Sequence, residues 1–182
     1  MRWIDIALGA ALVAGTAAAQ SPGASPAPFI DALNTFQQAR QGETGKIEPA
    51  IAAFDGLARA DPQHPVYAAY LGSALGLRAR DALMPWNKVK YAEEGLDHVD
   101  RALASLKPEH DRRLVRGVPV SLETRLVAAN MFISLPDGIF HRRAAGKKLI
   151  DEVRRNPGFA AAPAEFRGAV QRAADAAKEA PK

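Results

Sequence analysis

Residues 50–72 constrain the fold more tightly than any other part of this chain. Ala50, Phe54 and Leu57 recur at intervals of three and four, the spacing of one face of an α-helix. Asp61-Pro62 ends that run, because proline cannot continue a helix and biases the residue before it away from helical geometry. A second helical run opens at Pro65, with Tyr67, Ala68, Leu71, Ala74 and Leu75 as its inward stripe and Gly72 beside it. Small residues let paired helices approach closely, and Phe54 is the bulk that fills the gap between them.

That register, Ala50-x3-Phe54, then Pro62, then Leu71-Gly72, resembles the tetratricopeptide repeat. The stretch from Tyr70-Leu71-Gly72-Ser73 through Arg80-Asp81, Pro85-Trp86, Lys88, Lys90-Tyr91 and Glu94-Gly95-Leu96 is similar to a group of bacterial exported repeat proteins with an extended inter-helix loop. Leu135-Pro136, Phe140 and Arg143 extend the likeness. The resemblance implies an all-α fold. It implies an antiparallel helix-pair, right-handed solenoid of about 2.5–3 repeats with a terminal capping helix. Binding, not chemistry, is the activity such repeats imply.

Composition agrees with an all-helical chain. At 182 residues it is long enough for one domain with a substantial core. Alanine, the best helix former, is heavily used, while Ile, Tyr and Thr are scarce. The net charge of +4, without a basic stripe, does not point to nucleic acid.

The N-terminal residues read as processing segments. Arg2, the apolar run Ile6–Ala14 and Ala17-Ala18-Ala19 before Gln20 have the form of a cleavable export signal over residues 1–19. Residues 20–28, with prolines at 22, 26 and 28, read as an extended linker. The helical domain is expected over 29–180, in the bacterial periplasm. Without cysteine, the domain is held by its core and not by disulfides.

Helical spacing recurs along the domain. Phe29, Leu33, Phe36 and Ala39 share a face of the first helix, and Ile47–Ala60 is the second. After Pro65 a fourth helix is expected from about Lys90 to Leu106, with Gly95, Leu96, Val99 and Leu103 inward. Gly117-Val118-Pro119 breaks or kinks the next segment, after which Leu122, Leu126, Ala129 and Ile133 resume the period. A turn at Pro136-Asp137-Gly138 precedes a helix over 139–155, with Phe140, Ala144, Leu149 and Val153 on one side. Pro163–Lys178 carries Phe166, Val170, Ala173 and Ala177 on one face and charge on the other, as a capping helix should.

By the register of the resemblance, Ala69, Ser73, Gly76, Leu77 and Arg80 line a concave groove, with Tyr70 where a peptide-clamping asparagine would stand. Arg80 offers a fork for carboxylate or phosphate, or else pairs with Asp81 or Glu94. Residues 81–90 read as an inserted loop, and insertions in repeat proteins map to one face, often the binding face. There Trp86 amid Lys88 and Lys90 has the composition of an interface hot spot, unless Trp86 and Met84 fold back over the helix ends. The candidate partner-binding set is therefore Ala69, Tyr70, Ser73, Leu77, Arg80, Trp86, Lys88 and Lys90.

A second basic cluster joins Arg112, Arg113 and Arg116 to His141, Arg142, Arg143, Lys147 and Lys148. It reads as peripheral contact with an anionic membrane surface, or as a solvated face balanced by Glu109, Asp111, Asp151 and Glu152. No nucleophile motif, phosphate loop or zinc signature is present, so neither catalysis, a cofactor nor a metal is expected. His98 and His110, with Asp97, Asp100 and Asp111 nearby, match no recognised ligand spacing. These readings converge on a non-catalytic interaction module of the bacterial envelope that binds a protein or peptide. The alternative is a periplasmic small-molecule or lipid carrier with an apolar pocket under the 81–90 segment.

Overall fold

The computed structural model describes residues 27–179, so the export signal and the linker through residue 26 lie outside the described residues. Helix α1 (Ala27–Arg40) begins within the last two linker residues. Pro28 is tolerated in its first turn, where a backbone N–H would have no helical acceptor. Next come α2 (Ile47–Ala60), α3 (Pro65–Asp81) and α4 (Pro85–Ala104). A 3-10 turn over Pro108–Asp111 leads to strands β1 (Leu114–Val115) and β2 (Val118–Pro119). The chain then forms α5 (Val120–Ser134), α6 (Asp137–Phe140), α7 (Arg143–Arg155), α8 (Gly158–Ala161) and α9 (Ala164–Glu179). Apart from the two-residue antiparallel ladder, the regular structure of the described residues is helical.

Three expectations change. Residues 81–90 are not a loop: only Ala82–Met84 separates α3 from α4. Pro85, expected within that loop, opens α4 at the first-turn position where its fixed φ suits a helix. The expected kink at Gly117-Val118-Pro119 is a tight hairpin, with Val115 opposite Val118. Arg116 and Gly117 have positive φ of 52° and 74°, as a two-residue turn matching strand twist requires. The helix expected over 139–155 is interrupted at His141, which adopts a left-handed φ of 54°. Asp137 Oδ1 accepts the backbone N–H of Arg143 at 2.9 Å and so starts a new helix there. The buried stripe of α7 is consequently Gly146, Ile150 and Val153, while Ala144 is exposed.

Packing is built on two close backbone approaches. The most extensive helix contact is α3 with α4. A methyl group on Gly95 would stand 2.6 Å from the Gly72 carbonyl oxygen, and one on Gly72 would collide with the Gly95 carbonyl. Between α5 and α7, a methyl on Gly146 would meet Ile133 Cγ1 at 2.9 Å. Helix α5 is buried nearly all round, with 12 of its 15 residues inaccessible, so it serves as the central helix and contacts α3, α4, α7 and α9.

An aromatic cluster binds α1, α2 and α3. Phe54 stacks on Tyr70 with centroids 5.0 Å apart, and Phe36 meets Tyr70 edge-on at 5.4 Å. At the start of α3, buried His64 stacks on Tyr67 at 4.1 Å, and its Nδ1 has no hydrogen-bond partner among the described residues. Burial, then the Arg113 charge, lower its pKa to about 4.

Overpacking at the α3–α4 crossing should make Gly72→Ala cost about 1–3 kcal/mol in urea denaturation. Gly56→Ala, on α2 where a methyl meets nothing within 4 Å, should instead gain up to about 1 kcal/mol. His64 is neutral in the fold but titrates near 6.5 when unfolded, so the unfolded chain binds the extra proton between those values. Stability is therefore full above pH 6.5 and falls as pH drops toward 4, by at most about 3 kcal/mol. His64→Phe, which keeps the ring stack, should flatten that part of the stability–pH curve.

Candidate functional site

Alternate helices share one side of the molecule and form an open groove of about 1290 Å³. Its walls come mainly from α1, α3, α5 and α9, with Pro85, Lys88, Val89 and Ala92 of α4 and Ile139 and Phe140 of α6 added to them, while α2 and α7 contribute no lining residue. The apolar floor includes Phe36, Leu77, Val127 and Phe166, and Asn34, Gln37 and Asn130 supply amides. Pro85, Lys88 and Val89 of α4 and Pro136, Ile139 and Phe140 about α6 complete the lining.

The lining carries five cationic residues, Arg40, Arg80, Lys88, Arg116 and Arg172, against the acids Glu123 and Glu165. Two of these cations are already engaged. Arg80 Nε donates to Asp81 Oδ1 at 2.6 Å, and its Nη2 lies 3.4 Å from the Ala39 carbonyl at the end of α1. The hydrogen bond from Arg80, joined by its charge, holds the Asp81 carboxyl below its ordinary range. Of the two roles open to Arg80, ion pairing with Asp81 is the one formed. Lys88 Nζ donates to the Arg80 carbonyl at 3.0 Å, and its charge adds to that of Arg80 on Asp81 without forming an ion pair among the described residues.

Arg116, the second engaged cation, belongs to a largely buried network in the groove wall. Glu123 on α5 is 1% exposed. Its Oε1 accepts the Tyr70 hydroxyl at 2.6 Å and Arg116 Nη2 at 2.7 Å. Glu123 Oε2 has no hydrogen-bond partner among the described residues. Burial, then the adjacent carboxylate, push the Tyr70 phenol well above its ordinary pKa, so it remains a donor. Neither Glu123 nor Arg116 belongs to the sequence-derived binding set. The available signal was a carboxylate within the apolar stretch 118–135, where Glu123 and Arg125 are the only charges.

The eight sequence-derived residues divide. Tyr70, Ser73, Leu77, Arg80 and Lys88 line the groove, as does Gly76. Ala69 is fully buried in the core. Trp86 and Lys90 lie outside the groove lining, and both are exposed. Trp86 is 68% exposed, so it does not fold back over the helix ends.

Within the second basic cluster, Arg113 pairs with Asp61, Arg116 with Glu123, Arg142 with Asp100 and Lys148 with Glu152. His110 Nδ1 accepts the Lys107 N–H, and His98 Nδ1 lies 3.3 Å from Arg101. Among the described residues no three His, Asp or Glu side chains are grouped to hold a metal ion, and no helix is long and apolar enough to cross a membrane. No protein-family model matches this chain, no curated protein matches it, and no solved structure matches it.

Removing Arg116 strands a buried carboxylate, whereas Tyr70→Phe removes one hydrogen bond. Arg116→Met should cost about 3 kcal/mol or more and Tyr70→Phe about 1 kcal/mol, a difference that denaturant titration of the two variants reads directly.

Proposed function

We propose that this chain is a non-catalytic interaction module of tetratricopeptide-like architecture that holds a segment of a partner protein along the groove. The observation that carries this reading is the 1290 Å³ groove walled mainly by every second long helix, with the first turns of α4 as its other long-helix contribution. Helices α1/α2, α3/α4 and α5/α7 pack as successive pairs, and α9 packs on α5 and α7 at the end. In that arrangement α1, α3 and α5 are the first helices of three repeats, and α9 is the cap.

The groove exceeds the ordinary 300–1,000 Å³ of small-molecule sites and is partly open to solvent. An extended or helical peptide suits it better than an enclosed ligand does. Apolar residues on the floor would take the partner's anchors, while Arg40, Lys88 and Arg172 favour acidic residues on the segment. The export signal read over residues 1–19 assigns the encounter to the bacterial periplasm.

The test is photo-crosslinking in intact cells from a reactive residue at Ser73 or Asn130 in the groove, with Ala52 on the exposed face of α2 as the control. A discrete protein adduct should form from the groove positions and not from Ala52. Leu77→Glu should reduce it roughly tenfold or more, the scale of losing one buried apolar anchor. Equal adducts from both faces, or an adduct indifferent to Leu77→Glu, would overturn the proposal. Fractionation of the tagged chain checks the compartment.

A further inference from the structure

The turn between α3 and α4 carries an apolar surface that the groove does not use. Leu83 is 90% exposed, Met84 45% and Trp86 68%, and none of them lines the groove, although Pro85 between them does. Three large apolar side chains within four residues stand in water at the end of the most closely packed helix pair. Transferring them from water would be favourable, and nothing within the described residues covers them.

The charges next to the apolar side chains on α4 are positive. Arg78 is paired with Glu48 and Arg80 with Asp81, so the end of α3 is locally neutral. Lys88 and Lys90, in the first turns of α4, form no ion pair among the described residues. Lys90 follows Trp86 by one helical turn and shares its face. The acids of that exposed side begin at Glu93 and Glu94, about 10–12 Å along the helix from Trp86. That is roughly a Debye length at physiological salt. The apolar tip is therefore flanked on the α4 side by two exposed lysines, with Asp81 held by Arg80 on the α3 side and Glu93 and Glu94 one turn beyond Lys90.

We infer that Leu83, Met84 and Trp86 insert into an anionic phospholipid surface while Lys88 and Lys90 meet its headgroups. The shape of the patch selects this occupant. A stable protein interface takes about 800 Å² from each partner around a packed centre. A tip of four residues at a tight turn falls short of that area, whereas a bilayer makes no demand for shape complementarity. Tryptophan favours the interfacial zone, and lysines beside it gain from a negative surface. Docked this way, the groove residues Pro85, Lys88 and Val89 lie next to the membrane.

The experiment uses the full chain carrying Trp3→Phe, so that Trp86 is its only tryptophan. It is mixed with vesicles of phosphatidylcholine alone or of phosphatidylcholine with phosphatidylglycerol. Trp86 emission should move to shorter wavelength with the anionic vesicles and be quenched by bromine-labelled acyl chains. Added salt should weaken the effect. In co-sedimentation, Lys88→Glu/Lys90→Glu and Leu83→Ser/Trp86→Ser should each lower affinity roughly tenfold or more. Both double variants change exposed residues, and unaltered thermal unfolding would show that the fold is intact.

Unshifted, unquenched Trp86 emission would overturn the inference, even where vesicles bind through another part of the chain. So would loss of the groove-crosslinked protein in the Leu83→Ser/Trp86→Ser variant without any effect on vesicles, since the tip would then belong to a protein interface. The inference stands apart from the proposed groove partner: a chain that crosslinks no protein through Ser73 can still pass the vesicle test.

Discussion

The distance between the backbones of α3 and α4 sets the rest of the structure. Gly72 and Gly95 face each other so closely that neither site has room for a β-carbon. With that contact made, the next two layers are positioned by what α3 presents on its other sides. Tyr70 reaches the aromatic rings of α1 and α2, and its hydroxyl reaches Glu123 on α5. Gly146 repeats the device between α7 and α5. Helices held at such short separations do not slide, because packed cores have discrete arrangements and little room for continuous deformation.

Polar specificity lies in the groove wall. Glu123 would be an expensive residue in the centre of the domain without Arg116 and Tyr70. Arg116 reaches it only because the β1–β2 turn bends the chain through two residues of positive φ. The hairpin that interrupts the helical succession thereby ties α3, the turn and α5 together. A hydrophobic substitute for Glu123 could fill the volume but would not fix the hairpin relative to the two helices.

Much of the helical framework was legible in the sequence, and the misreadings share a cause. Helix α2 has the expected bounds, because Asp61-Pro62 is an unambiguous stop. The stripes of α1 and α9 were also readable, since each buries a single face. Proline in the middle of an apparent gap misled: Pro85 starts α4, and local sequence does not distinguish a starter from a breaker. The split at His141 was hidden because it depends on the Asp137 side chain capping a helix six residues away. In the groove, a helical register located Ser73, Leu77 and Arg80. Periodicity does not show where a groove ends along a helix, so Ala69 was included although it is buried. Glu123 escaped because its role comes from Tyr70, 53 residues away in the chain.

Helix α5 contributes to each of the three buried apolar clusters, through Val120 and Val127 in one, Leu122 and Leu126 in another, and Ala128 and Met131 in the third. The clusters otherwise divide the chain: one holds the interior of α1–α3, and another holds that of α7 and α9. Cooperative units of this kind open with different free energies. Release of α9 disturbs one cluster and leaves the aromatic cluster of α1–α3 intact. That same helix is a wall of the groove. Loss of α9 would therefore take away one wall of the groove, while α5, anchored in all three clusters, would keep its own wall in place.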